Sequence, residues 1–320
     1  MPKILLIKTS SMGDVIHNLP VVSDIRSHLP GARIDWVVEE SFAGIPRLHP
    51  GVAEVIPVAV RRWRKTLLSA GTRAGMRAFG RRLRETEYDV VLDTQGLIKS
   101  AVIARVACGL RCGYAWESAR EPAAALGYDR TFHVSKSLHA VERNRLLAAQ
   151  VFGYAPQARV DYGIRAPAVA LPWLPAGRYA VLLHATSRDD KLWPEADWVA
   201  LGQHFNRSGL ACILPWGGAH EEERSRRLAA AIAQSMVPPA LGLEQLAALL
   251  AGAEVTVGVD TGLTHLAAAL EVPVVALYCT TRPALTGVYT SGQGINLGGE
   301  GGPPGLASVV AAAGKVMKHA

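Results

Sequence analysis

The feature that most constrains this chain is the alternation of short, unbroken apolar runs with segments whose apolar residues recur every three or four positions. Residues 4–7 (ILLI) form a run of the first kind. A polar, glycine-containing turn follows at 9–14, and then Val15, Leu19, Val22 and Leu29 recur at helical spacing. Such runs suit strands covered on both faces, and the 3.6-residue period suits helices with one buried stripe. Strands are expected at 34–38, 55–60 and 88–93, with helices at 73–87 and 97–108. The pattern lapses between 155 and 177, where Pro156, Pro167, Pro172 and Pro175 cluster, and this stretch reads as a linker. It then restarts: strands at 179–184, 211–215, 255–259 and 272–278; helices from Pro194, at 219–234, 243–251 and 262–270, and a final one at 306–317. Residues 287–305, rich in glycine and ending in Pro303-Pro304, read as a mobile loop. The expected class is therefore α/β, with two doubly wound parallel-sheet domains over residues 1–165 and 166–320. In such sheets ligands bind at the carboxyl ends of strands, in the loops that lead into helices.

The 320 residues, 49% of them hydrophobic, supply two cores and exclude a disordered chain. Four cysteines (Cys108, Cys112, Cys212, Cys279) are too few for a disulfide framework, and Cys108 with Cys112 lacks the second ligand pair of a structural zinc site. The mean hydropathy of +0.16 raises the question of membrane spans. The longest apolar stretches are interrupted at Glu254 and at Glu271 with Pro273, and the N-terminal apolar core is too short for a secretory signal. A cytoplasmic protein is expected, one able to sit on a membrane surface.

Charge is divided unevenly. Residues 1–165 hold 24 Lys and Arg against 15 Asp and Glu, and residues 166–320 hold 10 against 12. The first half is suited to an acidic partner: nucleic acid, an anionic membrane surface, or a phosphorylated or carboxylated substrate. Arg61, Arg62, Arg64, Lys65, Arg73, Arg77, Arg81, Arg82 and Arg84 follow one another with no acid between them. Residues 73–84 fit a solvated helix face. Residues 61–65 directly follow an expected strand, which puts them at a carboxyl end, on the same rim as Asp14, where arginine forks suit carboxylates and phosphates. No helix-turn-helix, zinc finger or RNA-binding signature supports nucleic acid.

Three junctions carry candidate chemistry. Asp14, flanked by Ser10, Ser11 and Gly13, lies at a helix start; it fits either a helix cap or an ionised general base. Residues 184–191 (HATSRDDK) offer Thr186, Ser187 and Lys191 to a diphosphate, or form an ordinary surface turn; Asp189-Asp190 fit solvated acids better than a metal site. Residues 259–265 (VDTGLTH) resemble an anion site at a helix N-terminus, with Asp260 alternatively a cap and His265 alternatively a packing residue. The chain lacks the dinucleotide G-x-G-x-x-G, the P-loop and the G-x-S-x-G elbow.

Taken together, the stretches KTSSMGDVIHNLP (8–20), DWVVEE (35–40), IPVAVRRWRK (56–65), QGLIKSA (95–101), HATSRDDKLWP (184–194), LPWGGAHEEER (214–224) and VDTGLTHLAAAL (259–270) resemble the ADP-heptose glycosyltransferases of glycosyltransferase family 9 over nearly the whole chain. The resemblance implies a GT-B fold, two Rossmann-like domains facing across a cleft, with an acceptor-binding first domain and an ADP-heptose-binding second domain whose final helix packs back on the first. It implies inverting, metal-independent transfer of L-glycero-D-manno-heptose from ADP-heptose to the inner Kdo of Kdo2-lipid A, with no cofactor. Asp14 matches the general base, and Lys191 a second catalytic position. Thr186, Ser187, Lys191, Glu221, Leu241, Asp260, Thr261, Gly262 and His265 match donor-binding positions, Glu221 at the adenosine ribose. Ser10, Ser11, Gly13, Arg61, Arg62, Arg64, Lys65, Arg120, His139 and Arg143 match acceptor-side positions. Ser187 stands where the family often has threonine, and Tyr278-Cys279-Thr280-Thr281 replaces a more usual Gly-Pro-Thr.

Under this resemblance the partners are ADP-heptose, Kdo2-lipid A and the cytoplasmic face of an anionic inner membrane, reached through basic residues and Trp63. The alternatives are a core transferase of the same family acting on an already heptosylated acceptor, a non-catalytic two-lobed anion-binding protein, and an NAD-type oxidoreductase, which the missing glycine fingerprint disfavours.

Overall fold

The structure is a computed structural model and describes residues 1–186, 188–290 and 292–318. The chain divides into two compact units, Met1–Ile164 and Arg165–Ala320. Each is built on a six-stranded parallel sheet.

In the first unit the strands are β1 (Lys3–Ile7), β2 (Arg33–Glu39), β3 (Val52–Val58), β4 (Glu87–Asp93), β5 (Cys108–Tyr114) and β6 (Arg130–Phe132), in the order β3-β2-β1-β4-β5-β6. This is the Rossmann order, and its direction of winding reverses between β1 and β4. Ile7 is in register with Val37 of β2 and with Asp93 of β4, so the residues after Ile7 and Asp93 emerge side by side at the switch point. Ile4, Leu5, Leu6 and Ile7 are all fully buried, as a central strand covered on both faces requires. On one face Leu5, Ile7, Val37, Val91 and Leu83 share a core with Ile103 and Ala104.

The second unit repeats the order. Its strands are β7 (Tyr179–Leu183), β8 (Ala211–Ile213), β9 (Ser235–Met236), β10 (Val255–Val259), β11 (Val274–Tyr278) and β12 (Gly294–Gly298), arranged β12-β11-β10-β7-β8-β9. Leu183 pairs with Gly258, which sets the ends of β7 and β10 together at the second switch point. β7, β10 and β11 are buried along their whole length.

Two sequence expectations are corrected. The helical spacing of Val15, Leu19, Val22 and Leu29 is divided between two helices, Met12–Ile16 and Leu19–His28. Pro20 has no N–H to give and its ring excludes the Ile16 carbonyl, so the first helix stops there. The loop expected at 287–305 contains β12, whose Ile295 and Leu297 pack on the core while Asn296 exchanges hydrogen bonds with Val288. The final helix, Leu306–Met317, buries Val309, Ala312, Ala313 and Val316 in the core of the second sheet. Its apolar stripe matches the face of β10 and β11. Between Phe152 and Tyr179 there is no helix or strand, as the prolines there indicated. No helix among the described residues is long and apolar enough to cross a membrane.

Candidate active site

The first unit places Asp14 in the turn of helix that follows β1. Its Oδ2 accepts from the Ser11 backbone N–H at 2.7 Å and from the Ser11 hydroxyl at 3.0 Å. Its Oδ1 has no hydrogen-bond partner among the described residues, and the side chain is half-buried. Asp14 thus closes a capping box on the N-cap Ser11 with one oxygen and leaves the other open to a hydroxyl.

The loop that carries Ser10 and Ser11 is held from β4. The Gln95 carbonyl oxygen accepts from the backbone N–H of Thr9 (2.8 Å) and of Ser10 (3.2 Å), and its amide donates to the Ser10 carbonyl at 2.7 Å. Gln95 is buried and is itself seated by Asp93, whose Oδ1 accepts from the Gln95 and Gly96 amides. Burial pushes the Asp93 carboxyl up, against the hydrogen bonds from Tyr128, Ser100 and those amides. Gly96 takes φ +65°, a conformation open to glycine, so the chain can turn back under Asp93. Lys99 donates to the Ser10 hydroxyl at 2.9 Å.

Lys8 is buried beneath the same loop. Its ammonium donates to the Thr94 carbonyl (2.8 Å) and to Asn144 Oδ1 (3.3 Å). Burial pushes it down to about 8; the Asp14 and Asp93 charges oppose that shift, and Arg143 and Arg120 add to it. Neither Lys8, Gln95 nor Lys99 was singled out from the sequence. Position after a strand end was the available signal, since all three follow β1 or β4.

The remaining acceptor-side candidates fall in two groups. Arg61 and Arg62 lie on the short helix Val60–Trp63 that follows β3. Arg62 is forked on Glu40 (3.0 and 2.9 Å), and the Arg61 guanidinium stacks 4.9 Å over Phe42. Arg64 and Lys65 are exposed in the next turn. On the other side Arg120 is exposed, and its backbone lies against Gly96. Arg143 donates to the Ser118 carbonyl at 2.6 Å and lies 5.0 Å over Tyr114. His139 is buried; its Nδ1 accepts from the Val141 N–H, which caps the helix Ala140–Phe152.

In the second unit β7 and β10 bring together Thr186, Lys191, Asp260 and His265. Lys191 Nζ lies 2.6 Å from Asp260 Oδ2, and His265 Nε2 lies 3.7 Å from Asp260 Oδ1. Thr186 donates to the Asp260 backbone carbonyl at 3.0 Å. Burial alone would raise the Asp260 carboxyl, but the hydrogen bonds and charges of His265 and Lys191 hold it well below the usual carboxylate range. Thr261 and Gly262 open the helix Gly262–Ala269 directly behind Asp260. Gly258 lets that helix come close: a Cβ there would stand 2.2 Å from the Thr264 hydroxyl, which donates back to the Val259 carbonyl. Ser187 lies outside the described residues.

Thr281, after β11, donates to Asp260 Oδ2 at 2.9 Å and completes the cluster. In the sequence it appeared only as part of the departure at 278–281. Glu221 and Leu241 follow β8 and β9, and among the described residues neither hydrogen-bonds to this cluster; Glu221 Oε2 accepts from the Gly217 N–H at 2.7 Å. Asp190 is forked by Arg188. No group of three or more His, Cys, Asp and Glu able to hold a metal occurs among the described residues.

Two Rossmann-order sheets, one with a carboxylate at its switch point and the other with a Lys, Thr and His cluster at its own, define a glycosyltransferase of the GT-B class. The chain belongs to glycosyltransferase family 9, the heptosyltransferases, whose family model matches residues 76–306. It is 49% identical over 293 residues to lipopolysaccharide heptosyltransferase 1 of Escherichia coli K12, covering 91% of this chain and 92% of that one. It is 47% identical over 300 residues to lipopolysaccharide heptosyltransferase 1 of Pseudomonas aeruginosa, covering 93% and 84%. The solved structure of the E. coli heptosyltransferase WaaC with ADP superposes with a TM-score of 0.88 at 45% identity over 99% of both chains. That of WaaC with ADP-2-deoxy-2-fluoro heptose superposes with 0.85 at the same identity, covering 99% of this chain and 100% of that one.

Proposed function

We propose that this protein transfers L-glycero-D-manno-heptose from ADP-heptose to the inner Kdo of Kdo2-lipid A, in assembly of the lipopolysaccharide core. The observation that carries the reading is the likeness, over 99% of both chains, to a heptosyltransferase solved with ADP. ADP-heptose is the donor substrate, and the reaction is written without a cofactor or metal.

The step is a single displacement with inversion. The acceptor hydroxyl oxygen forms a bond to the anomeric carbon, the bond from that carbon to the diphosphate oxygen breaks, and ADP leaves with the electron pair. Asp14 takes the hydroxyl proton on its open Oδ1. A carboxylate is a weak base toward a ground-state hydroxyl, so proton transfer comes late, when the attacking oxygen has become acidic. Lys191, Thr186, Ser187 and the Thr261–Gly262 helix start meet the charge that develops on the leaving diphosphate. Asp260, with His265 and Thr281 around it, aims the Lys191 ammonium. Glu221 and Leu241 serve the adenosine end. The acceptor carries Kdo carboxylates and lipid A phosphates, which suits Arg61, Arg62, Arg64, Lys65, Arg120 and Arg143, with Ser10, Ser11, Gly13 and His139 shaping the acceptor side. The protein works as a peripheral enzyme on the cytoplasmic face of the inner membrane.

The test is to supply ADP-heptose with either Kdo2-lipid A or its heptosylated form and follow ADP release. Turnover on Kdo2-lipid A is expected; preference for the heptosylated acceptor would assign the protein to a later step of core assembly.

A further inference from the structure

The basic segment extends well past the residues assigned to the acceptor. The helix Ala70–Arg84 buries Thr72 and Leu83, and its Phe79 meets the Trp63 ring edge-on at 5.8 Å. Gly75 fits beneath the same indole, where a Cβ would stand 3.2 Å from Nε1. Trp63, which the sequence marked as a membrane contact, is therefore turned inward. At 100° per residue the opposite face of the helix presents Arg73, Arg77, Arg81 and Arg84, spaced by Ala74 and Ala78. All four are exposed, and none has a carboxylate partner among the described residues. Arg82, on the flank, is paired with Glu54 and Glu85.

Solvated helix faces are normally laced with acids three or four residues from each base. The helix Ala70–Arg84 itself holds no acid, and Glu85, which caps its end four residues after Arg81, is bonded to Arg82, so positive charge dominates the face of the four arginines. Immediately before its Ser69 cap stand Leu67 and Leu68, 56% and 88% exposed. Two adjacent leucines in water forgo the stabilisation that burial of apolar surface gives. An apolar tip beside unpaired arginines matches one environment in both respects: an anionic bilayer, with headgroup phosphates outside and acyl chains within.

We propose that residues 66–84 are a membrane-docking surface. The Leu67-Leu68 turn enters the acyl boundary of an anionic bilayer, and Arg73, Arg77, Arg81 and Arg84 lie against its headgroups. This rests on the lipid-borne acceptor proposed above. It puts Arg61, Arg62, Arg64 and Lys65, a few residues along the chain, at headgroup height, where the sugar of a membrane-embedded acceptor begins.

The experiment uses the full chain and vesicles free of acceptor. Co-sedimentation with phosphatidylglycerol–phosphatidylethanolamine vesicles is compared with phosphatidylcholine vesicles, at low and high salt. Binding is expected on the anionic vesicles, at least about tenfold weaker on the neutral ones and weakened by salt. L67S/L68S is expected to lose about tenfold in vesicle affinity, and R73E/R77E to lose at least about tenfold and most of the salt dependence. All four side chains are exposed, so both variants should keep the wild-type melting temperature and, within about twofold, the turnover on a water-soluble, deacylated acceptor. Equal binding to neutral vesicles overturns the proposal. So does an L67S/L68S variant that binds anionic vesicles like wild type, since an acidic protein or a nucleic acid would need the arginines alone. Vesicle binding by a protein that turns over neither acceptor would sink the function and leave the docking surface standing.

Discussion

The ammonium of Lys191, in the short turn Asp189–Lys191 beyond β7, and the carboxylate of Asp260, directly after β10, are 2.6 Å apart. Both side chains are largely buried, at 18% and 12% exposure, so removing one leaves the other a buried charge short of a partner. Lys191→Met is therefore expected to do two things. It should lower turnover by about 10²-fold, through loss of the cation proposed above to meet the leaving diphosphate. It should also lower stability by about 2–3 kcal/mol, because Asp260 is left charged and short of a partner. Adding Asp260→Asn should restore most of the stability and none of the turnover. Urea unfolding and ADP release on the two single variants and the double variant measure both; a double variant no more stable than Lys191→Met would show that the pair does not carry the coupling.

The acid side of the stability profile should be set by two buried histidines, one in each unit. His49 Nδ1 accepts from the Gly51 N–H and its Nε2 meets the Ser23 hydroxyl at 3.0 Å, which holds the ring neutral. His184 Nε2 meets Ser225 at 2.8 Å. Burial pushes both rings down to about 4. The unfolded chain takes up protons near pH 6.5 and the folded one does not, so the stabilisation is complete above pH 6.5 and is lost as pH falls toward 4. Each histidine should cost about 2 kcal/mol on going from pH 7 to pH 5. His184→Gln should flatten that loss for its unit. An unchanged slope in urea titrations at pH 7 and 5 would remove His184 from the account.

Gln95 offers a test of the scaffold under the loop that leads to Asp14. It makes three hydrogen bonds to the backbone of Thr9 and Ser10, while Asp14 lies only a few residues further along. Gln95→Leu keeps the volume and removes all three. Turnover should fall by about 10- to 100-fold as the loop loosens, since small misplacements at a reacting centre are costly. ADP affinity, proposed above to rest on the second unit, should stay within about twofold of wild type, where a global folding defect would lower both. Single-turnover rates and ADP titration separate the two outcomes.

Gln95 also shows how far the sequence could be read. The class of fold followed from local periodicity: apolar runs such as ILLI and VTVGV are fully buried strands. The strand order did not, because it depends on pairings such as Ile4 with Val90, 86 residues apart. β12 was missed because GINLG alternates over only five residues and is flanked by glycine. The site was legible where charge or a hydroxyl followed a strand end, as at Asp14, Lys191 and Asp260. Gln95 and Thr281 are neutral, and their roles come from what the fold sets opposite them. Nothing local in the sequence marks a glutamine that holds a loop 86 residues away.

The two readings of Asp14 left open by the sequence, cap and base, are separable by substitution because the two oxygens do different things. Oδ2 is occupied by Ser11, and Oδ1 is open. Asn at this position keeps an oxygen able to accept from the Ser11 N–H and loses the basicity. Asp14→Asn should therefore retain stability to within about 0.5 kcal/mol, since the amide oxygen still accepts from the Ser11 N–H that closes the capping box. It should lose turnover by about 10³-fold or more, at the upper end of what a general base supplies. Asp14→Ala should lose the same turnover and about 1 kcal/mol of stability in addition. Ser11→Ala, which keeps the backbone bond and drops the hydroxyl, should change turnover by less than about tenfold. Melting temperatures and ADP release across the three variants decide the matter: an Asp14→Asn enzyme within tenfold of wild type would leave Asp14 as a cap alone and send the search for the base to another residue.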